Sequence, residues 1–255
     1  MIMIDKMAYI SNLRYKDPNL KCFFAFFTLV ICIVASSIPL SLSILFMMAF
    51  ITLFVNKTQV KYYMKIMSIP LAFILISTTT IMVNLTKEPL DLFSINVGEF
   101  YLSVSTSSFY LGMNLILKSL ASVSCLYFLT LSTTFTDILL VLKNIHCPRI
   151  LIELMLLIYR YIFVLLDIAS NIRLSQKSRL GNKDFKTSLK STGEMLSILL
   201  VRSLKKASNL YDAMEARCYT ENINVLFEYK KASKKEIVLV ILLEIILIII
   251  AFFNV

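Results

Sequence analysis

The sequence is poor in the residues that build phosphate-binding loops and metal centres. Its 255 residues include four glycines, one histidine and no tryptophan. None of the glycines belongs to a G-x-x-x-x-G-K-[ST] motif, so we expect no P-loop, and any ATP must be bound by another chain. His146 stands alone, and no apolar run contains a cluster of His, Cys, Asp or Glu with metal-ligand spacing. We therefore expect no cofactor and no metal ligands in this chain.

Cysteine is present but forms no recognisable pattern. The five cysteines, at positions 22, 32, 125, 147 and 218, make no CxxC pair, and most lie in or beside apolar runs. A free thiol in such a setting behaves as a small hydrophobic group, so we expect no disulfide framework. The first twenty residues mix acidic and basic side chains without a small-residue cleavage site before an apolar core, so we expect no cleavable signal peptide.

Long apolar runs dominate the rest of the chain. The sequence is 58% hydrophobic with a mean hydropathy of +0.79, whereas soluble domains are about 45–50% apolar. A helix needs roughly 20 apolar residues to cross a bilayer core. Five runs are long enough, or nearly so: 21–37, 39–55, 66–85, 111–131 and 236–253. The sequence SSIP separates the first two and predicts a tight hairpin. The composition therefore predicts an integral membrane protein.

A sixth apolar stretch, 151–169, has a different pattern. Glu153, Arg160 and Asp167 recur every seven residues, which places them on one face of a helix. The opposite face is apolar and steps by three and four residues, as in an amphipathic helix. A charged stripe along a whole helix is costly in lipid, so we expect this segment not to span the membrane.

Basic residues predict the orientation of the chain. Region 170–235 carries fourteen Lys and Arg against six Asp and Glu, and segments 1–21 and 56–65 are also rich in Lys or Arg. Loop 86–110 carries one lysine against three acidic residues. Because basic segments stay on the cytoplasmic side, we predict a cytoplasmic N-terminus and an external loop 86–110.

Counting the crossings from the cytoplasm predicts the domain organisation. Four spans return the chain to the cytoplasmic side near residue 132, and region 170–235 is on the same side. An odd number of crossings between them is therefore excluded, so we expect segment 151–169 not to cross the membrane. The final run then leaves the C-terminus outside. We expect an all-α membrane protein with a four-span bundle at 1–132, a cytoplasmic module at 133–235 and a C-terminal transmembrane helix at 236–255.

The cytoplasmic module is predicted to contain two long helices with similar C-terminal ends. The first is predicted at 149–179 and the second at 189–218. The first ends in Ser178 and Arg179 followed by a turn, and the second ends in Ala216 and Arg217 followed by a turn. A cation in the last turn complements the helix dipole, which is the simplest explanation for one such end. Two matching ends in one module favour a contact with a partner, because the small residue clears space beside each arginine.

Two charges fall inside predicted spans, Lys118 in the fourth and Glu244 in the last. Intramembrane charges are candidates for function. Three interpretations stay open: the two residues pair across the bundle, they face a partner subunit, or each lies near an interface and extends its charged end to water.

The segment MLSILLVRSLKKASNLYDAMEARCYTEN resembles a signature of the transmembrane T component of energy-coupling factor (ECF) transporters. That signature combines an Arg-Ser pair, a long helix and Ala-Met-x-Ala-Arg-Gly-Tyr. Cys218 replaces its usual glycine, and the matching residues here are Arg202, Ser203, Ala213, Met214, Ala216, Arg217 and Tyr219. Residues 159–181 resemble the family's first signature, with Ser178 for its alanine, Arg179 as its arginine and Leu180 for its glycine. Residues 4–21 resemble the opening of the cobalt-type subgroup, CbiQ.

The resemblance implies a non-catalytic scaffold. In that family the T component is an all-helical membrane protein whose coupling helices dock on two ATP-binding-cassette ATPases through the arginine ends. It passes their motion to a separate substrate-capture subunit, which would be CbiM-like here. The resemblance thus implies roles in ATPase coupling for Ser178, Arg179, Arg202, Ala216 and Arg217. The expected partners are therefore these subunits and the lipid bilayer of a prokaryotic cell membrane. No nucleic-acid partner is expected. The opening segment favours Co²⁺ as cargo, with Ni²⁺ or a vitamin as alternatives.

Two other classes of protein share part of this pattern. The segment from Asp212 to Arg217 partly resembles the start of the CDP-alcohol phosphotransferase signature. That enzyme needs further aspartates to hold divalent metal ions, but the positions where they are expected are Lys230 and Lys234. The basic run KKASKK before the last span also fits a module that binds anionic lipid, but that function does not explain the matched arginine ends.

Overall fold

The chain folds almost entirely into helices. The computed structural model describes residues 3–35, 37–82, 84–86, 93–97, 100–219 and 229–253. The α-helices of these segments are α1 (Met3–Ile10), α2 (Pro18–Ala35), α3 (Ile38–Phe50), α4 (Val60–Met82), α5 (Thr106–Ser132), α6 (Phe135–Asn144), α7 (Arg149–Ser178), α8 (Phe185–Glu215) and α9 (Lys234–Phe253). One turn of π-helix, Ile51–Val55, continues α3. The expectation of an all-helical membrane protein is confirmed.

Four helices in the described part of the chain are long and apolar enough to cross a membrane. They are α2, α3 with its π-helical turn, α4 and α5, and they contain most of the first four predicted spans. Ser36, in the predicted hairpin between the first two, lies outside the described residues. The fifth predicted span lies within α9, whose 20 residues reach about 30 Å at the helical rise of 1.5 Å per residue. Its crossing stays a prediction.

A small antiparallel sheet interrupts the helices between α4 and α5. Its strands are β1 (Asn84–Thr86), β2 (Phe93–Val97) and β3 (Phe100–Val104), with β3 in the centre. Leu102 of β3 is opposite Leu85 on one side and Ile95 on the other. The sequence predicts this segment only as an external loop. Residues 87–92 and 98–99 of that loop lie outside the described residues.

Helices α2, α3, α5 and α9 share one hydrophobic core. Its fully buried members include small residues as well as large ones, which lets the helices approach closely. They are Phe24, Ala25, Cys32, Leu40, Ile44, Met48, Ala121, Cys125, Phe128 and Leu247. Cys32 and Cys125 are free thiols within this apolar setting. Outward-facing positions of the same helices are apolar and exposed, as lipid-facing surfaces are.

The basic flanks of the predicted spans meet at one end of the bundle. Lys21 near the start of α2 contacts Ser132 at the end of α5, and Asn56 after the π-helical turn contacts Leu131. Lys16, just before α2, forms an ion pair with Glu236 in the first turn of α9. The starts of α2 and α9 and the ends of α3 and α5 therefore lie together. The predicted order of membrane crossings requires these helix ends to lie on one side of the membrane. That this side is the cytoplasmic one stays a prediction.

The chain divides into two compact units. One comprises Met1–Val141 with Phe227–Val255 and contains the bundle just described. The other, Leu142–Leu226, contains α7 and α8. The predicted non-spanning segment 151–169 lies in α7. Helix α7 begins and ends within a residue of its predicted limits. Helix α8 begins four residues before its prediction, because Asp184 has the extended backbone that starts a helix and Gly193 is accommodated in its interior.

Candidate functional site

Helix α7 ends in a compact turn that follows Arg179. The backbone of Leu180 lies in the left-handed region, with φ of 59°. The N–H of Gly181 donates to the carbonyl of Gln176 (2.8 Å), and the N–H of Leu180 donates to that of Lys177 (3.1 Å). These two bonds define the Schellman motif, which satisfies carbonyls that a helix end would leave unpaired. Arg179 is the last residue before the reversal.

Helix α8 ends in the same turn around Arg217. Cys218 has φ of 55°. The N–H of Tyr219 donates to Met214 (3.0 Å) and that of Cys218 donates to Glu215 (2.9 Å). Each donor and acceptor occupies the position of its counterpart in α7. The two arginines are thus in equivalent backbone positions, and Ser178 and Ala216 are the equivalent residues before them.

Both arginine side chains lie at the surface. Arg179 and Arg217 are exposed, and neither guanidinium has a hydrogen bond or ion pair with any other residue in the part of the chain that the structure describes. Residues 220–228, which follow the second turn, lie outside the described residues. Two large apolar side chains that follow Arg179 in the sequence are also exposed, Leu180 by 71% and Phe185 by 86%. An available guanidinium beside exposed apolar side chains is a surface typical of protein interfaces.

The turn after α7 is held against the start of α8. The Gln176 side chain donates from Nε2 to the carbonyl of Ser191 (2.7 Å), and the Ser191 hydroxyl donates to the carbonyl of Gly181 (2.9 Å). Ser191 is buried. A β-carbon at Gly181 would lie 2.9 Å from both the Gln176 carbonyl and the Ser191 hydroxyl. Glycine is therefore required here by close packing.

The turn after α8 is held against the start of α7. The Tyr219 hydroxyl donates to Oε2 of Glu153 across a distance of 2.6 Å. Glu153 belongs to the charged stripe recognised in the sequence, and Tyr219 belongs to the second signature. Each arginine turn is therefore tied by side-chain hydrogen bonds to the other long helix. The sequence pattern indicates the arginines but predicts no role for Tyr219, Ser191 or Gln176.

Helices α7 and α8 also share an apolar groove. Its volume is about 270 Å³, and it contains members of the apolar face expected from the sequence for segment 151–169. The groove is lined by Leu157, Ile158, Tyr161, Leu165, Ser203, Lys206, Ala207 and Leu210. Other large side chains of α8, such as Leu196 and Tyr211, are exposed. Arg202 is exposed on α8, one residue before the groove residue Ser203.

Comparison with known proteins identifies the family. The family profile described as "CbiQ: Cobalt transport protein" matches residues 11–228, which include both arginine turns. The chain belongs to the CbiQ family. The resemblance noted in the sequence is thereby confirmed, and the chain is a transmembrane component of a transporter.

Relatives of this CbiQ chain come from several organisms. An uncharacterised protein of Methanocaldococcus jannaschii is 31% identical over 98% of this chain and 92% of its own length. The cobalt transport protein CbiQ of Salmonella typhimurium is 24% identical over 86% of this chain and 97% of its own length. A Methanocorpusculum labreanum protein whose name describes a fusion, CbiMQ, is 30% identical over 85% of this chain and 36% of its own length.

The two intramembrane charges of this CbiQ protein have different surroundings. Glu244 is buried, with 3% of its surface exposed, and its Oε1 lies 2.8 Å from the Thr28 hydroxyl of α2. Among the described residues, Thr28 is the hydrogen-bond partner of Glu244. Lys118 is half-buried in α5, and its carbonyl accepts from the Ser122 hydroxyl (2.9 Å). A functional role for either charge stays a prediction.

Proposed function

We propose that this chain is the coupling subunit of an ATP-driven importer of the energy-coupling factor type. Two ATPase subunits bind and hydrolyse ATP, and this chain passes their motion to a separate membrane subunit that captures the substrate. The chain itself performs no chemistry. The observation that carries the proposal is the pair of equivalent helix ends at Arg179 and Arg217, one for each ATPase.

The form of α7 and α8 supports a mechanical role. They contain 30 and 31 residues, so each extends about 45 Å at the helical rise. A helix transmits a displacement applied at its end, whereas a flexible loop would absorb it. The hydrogen bonds from Tyr219 to Glu153 and from Ser191 to Gly181 hold each turn to the other helix, so a push on one arginine moves both helices.

The chemistry of arginine supports a protein partner. A guanidinium presents five N–H donors in a planar fork that matches carboxylates and carbonyl oxygens. Arg179 and Arg217 are available for such contacts, and Ser178 and Ala216 beside them are small enough for a partner surface to approach. Arg202 is exposed on the same helix as Arg217 and adds a further cation to the docking surface.

Co²⁺ is the cargo that we propose. The family is described as cobalt transport proteins, and the Salmonella typhimurium relative carries that name. The name of the Methanocorpusculum labreanum fusion joins CbiM and CbiQ in one chain, which supports a CbiM-like capture subunit as the partner here. The complex would lie in a prokaryotic cell membrane, with the N-terminus and the arginine turns in the cytoplasm and the C-terminus outside.

Affinity purification tests this function directly. The full chain, tagged and extracted in mild detergent from its own cells, should be recovered with two ATPase chains and a small membrane protein. The recovered complex in liposomes should accumulate radioactive Co²⁺ only when ATP is supplied. Recovery of the chain without ATPases would contradict the proposed function. ATP-driven uptake of Ni²⁺ or a vitamin, but not of Co²⁺, would contradict only the cargo.

A further inference from the structure

The membrane bundle contains a groove at the end where α2 and α9 begin, which we call the α2–α9 groove. Its volume is about 320 Å³, and ligand pockets in proteins occupy about 300–1,000 Å³. Leu239 and Val55 line it and are 59% and 44% exposed, so the groove reaches the lipid-facing surface of the bundle. Its apolar lining comprises Leu13, Leu20, Phe24, Ile51, Val55, Phe128, Leu239, Val240 and Leu243.

One edge of the α2–α9 groove is polar. The polar lining residues lie just before α2, in its first turn, or in the first turn of α9, and they are Lys16, Asp17, Lys21 and Glu236. Charged residues at the ends of spanning helices lie near the membrane surface. From Glu236 to Leu243, α9 advances about 10 Å at its rise of 1.5 Å per residue. The groove therefore leads from the headgroup region into the hydrocarbon.

The basic run 230–235 is held against this polar edge by two backbone hydrogen bonds. The N–H of Lys230 donates to the carbonyl of Tyr15 (2.8 Å). The N–H of Ala232 donates to Oδ2 of the groove residue Asp17 (3.2 Å). The end of the run forms the first turn of α9 together with Glu236. These contacts bring four lysines to the edge of the groove, namely Lys230, Lys231, Lys234 and Lys235.

The acidic side chains at this edge already have partners within the protein. Glu236 forms an ion pair with Lys16, and Asp17 accepts from the N–H groups of Asn19 and Ala232. The four lysines are exposed, and none of their ammonium groups has a hydrogen bond or ion pair with a residue in the described ranges. The positive ends of the α2 and α9 dipoles lie at the same edge. The edge is therefore available to an anion from outside the chain.

We propose that the α2–α9 groove binds one anionic phospholipid of the adjacent leaflet. An acyl chain occupies the apolar part, and the headgroup phosphate lies among the four lysines, since basic residues beside a span attract anionic lipid. A soluble anion would leave the apolar groove without an occupant, and an apolar helix of a partner would leave the ammonium groups unpaired. The site depends neither on the ATPases nor on the cargo, so it can be tested on the full chain alone.

The chain has no tryptophan, so a single introduced tryptophan reports on one position. Leu239→Trp places the reporter in the groove. Met64→Trp places it at a similar distance from the start of α4, at a residue that is 60% exposed and does not line the groove. Each full chain is reconstituted in vesicles of phosphatidylcholine and phosphatidylglycerol with matched acyl chains, one of the two lipids carrying brominated chains, because bromine quenches tryptophan fluorescence on contact.

The extent of quenching gives the preference for the anionic lipid at each position. At Leu239→Trp we expect phosphatidylglycerol to be preferred about 25-fold, the product of about fivefold for each of two lysines near the phosphate. On that background, replacement of one pair of lysines by glutamine should lower the preference about fivefold. The two pairs tested separately are Lys230 with Lys231 and Lys234 with Lys235.

The matched control is Lys61→Gln with Lys65→Gln, two exposed lysines of α4, and it should leave the preference at position 239 unchanged. Equal quenching by both lipids at position 239, the same preference at position 64, or an equal effect of the control pair would overturn the proposal. Absence of quenching by either lipid would show that protein, such as a second copy of this chain, covers the groove, and would also overturn it. If Leu239→Trp fails to fold, Val55→Trp is the reporter, with the same expected outcomes.

Discussion

The hydroxyl of Tyr219, just after the end of α8, donates a 2.6 Å hydrogen bond to the carboxylate of Glu153 near the start of α7. The two residues are 66 positions apart in the sequence. The bond ties the turn that carries Arg217 to the opposite long helix. At the other end, Ser191 ties the turn that carries Arg179 to α8. The reciprocal arrangement makes the two arginine turns parts of one rigid frame.

Removal of the Tyr219 hydroxyl should loosen this frame. Tyr219→Phe keeps the ring and loses a hydrogen bond to a charged group, so the free energy of unfolding should fall by about 1–2 kcal/mol. We also expect weaker ATPase binding, because Arg217 is then held less firmly. Both quantities can be measured on the purified chain, by thermal unfolding in detergent and by titration with ATPase.

Tyr211→Phe is the control for this change. Tyr211 is an exposed tyrosine on the same helix, and loss of its hydroxyl should alter neither quantity. Equal behaviour of the two variants would show that the bond to Glu153 does not support the turn.

Glycine at the two left-handed positions should stabilise the chain. Leu180 and Cys218 have φ of 59° and 55°, and residues with a β-carbon pay roughly 1–2 kcal/mol for that conformation. Glycine avoids this strain but costs about 0.5–1 kcal/mol through the freedom of the unfolded chain. Leu180→Gly and Cys218→Gly should therefore each raise the free energy of unfolding by about 0.5–1 kcal/mol.

A glycine placed in a helix interior should have the opposite effect. Leu189→Gly changes an exposed residue of α8, and it should destabilise the chain by about 1 kcal/mol. If all three glycine variants are destabilised alike in thermal unfolding, the left-handed turns do not form as described.

The outline of this structure could be read from the sequence, because it depends on local patterns. The limits of α7 followed from Pro148, Gly181 and the spacing of apolar residues between them. The equivalence of the two turns was only suggested by the arginines, since neither leucine nor cysteine indicates a left-handed backbone. The bond from Tyr219 to Glu153 and the contact of Glu244 with Thr28, 216 residues apart, depend on how helices pack, which no local pattern contains. The small sheet was not predicted, because the charges of segment 86–110 indicated only an external loop.

Gly181 and Gly193 should respond to alanine in opposite ways. At Gly181 the added carbon would meet the Gln176 carbonyl and the Ser191 hydroxyl at 2.9 Å, whereas nothing lies within 4 Å of the corresponding position at Gly193. Gly181→Ala should destabilise the chain by about 1–3 kcal/mol through overpacking. Gly193→Ala, in the interior of α8, should stabilise it by about 0.5–1 kcal/mol. Chemical unfolding of both variants checks the contrast, and a stabilising Gly181→Ala would contradict the packing of this turn.

Native Cys218 offers a direct test of orientation. It is an exposed thiol in the second arginine turn, which we place in the cytoplasm. A membrane-impermeant maleimide should label it in inside-out vesicles and not in intact cells that express this chain without its partners. Cys218→Ser identifies the labelled position by removing the signal. Labelling of Cys218 from outside intact cells would reverse the proposed topology.

Arg179 and Arg217 are, in the proposed function, the two points at which the ATPases bind this chain. The most direct measurement is ATPase binding and ATP-driven Co²⁺ uptake by Arg179→Ala, Arg217→Ala and the double variant, each assembled with wild-type partners. Loss of one partly buried charged contact costs about 2–5 kcal/mol. Each single variant should therefore bind ATPase more weakly, and the double variant should insert normally but transport nothing.

Arg217→Lys should recover only part of the activity, because the planar fork is lost, and Lys205→Ala on the same helix should behave as wild type. Full ATPase binding and uptake by the double variant would contradict the account, and the arginines would then serve only to complement the helix dipoles.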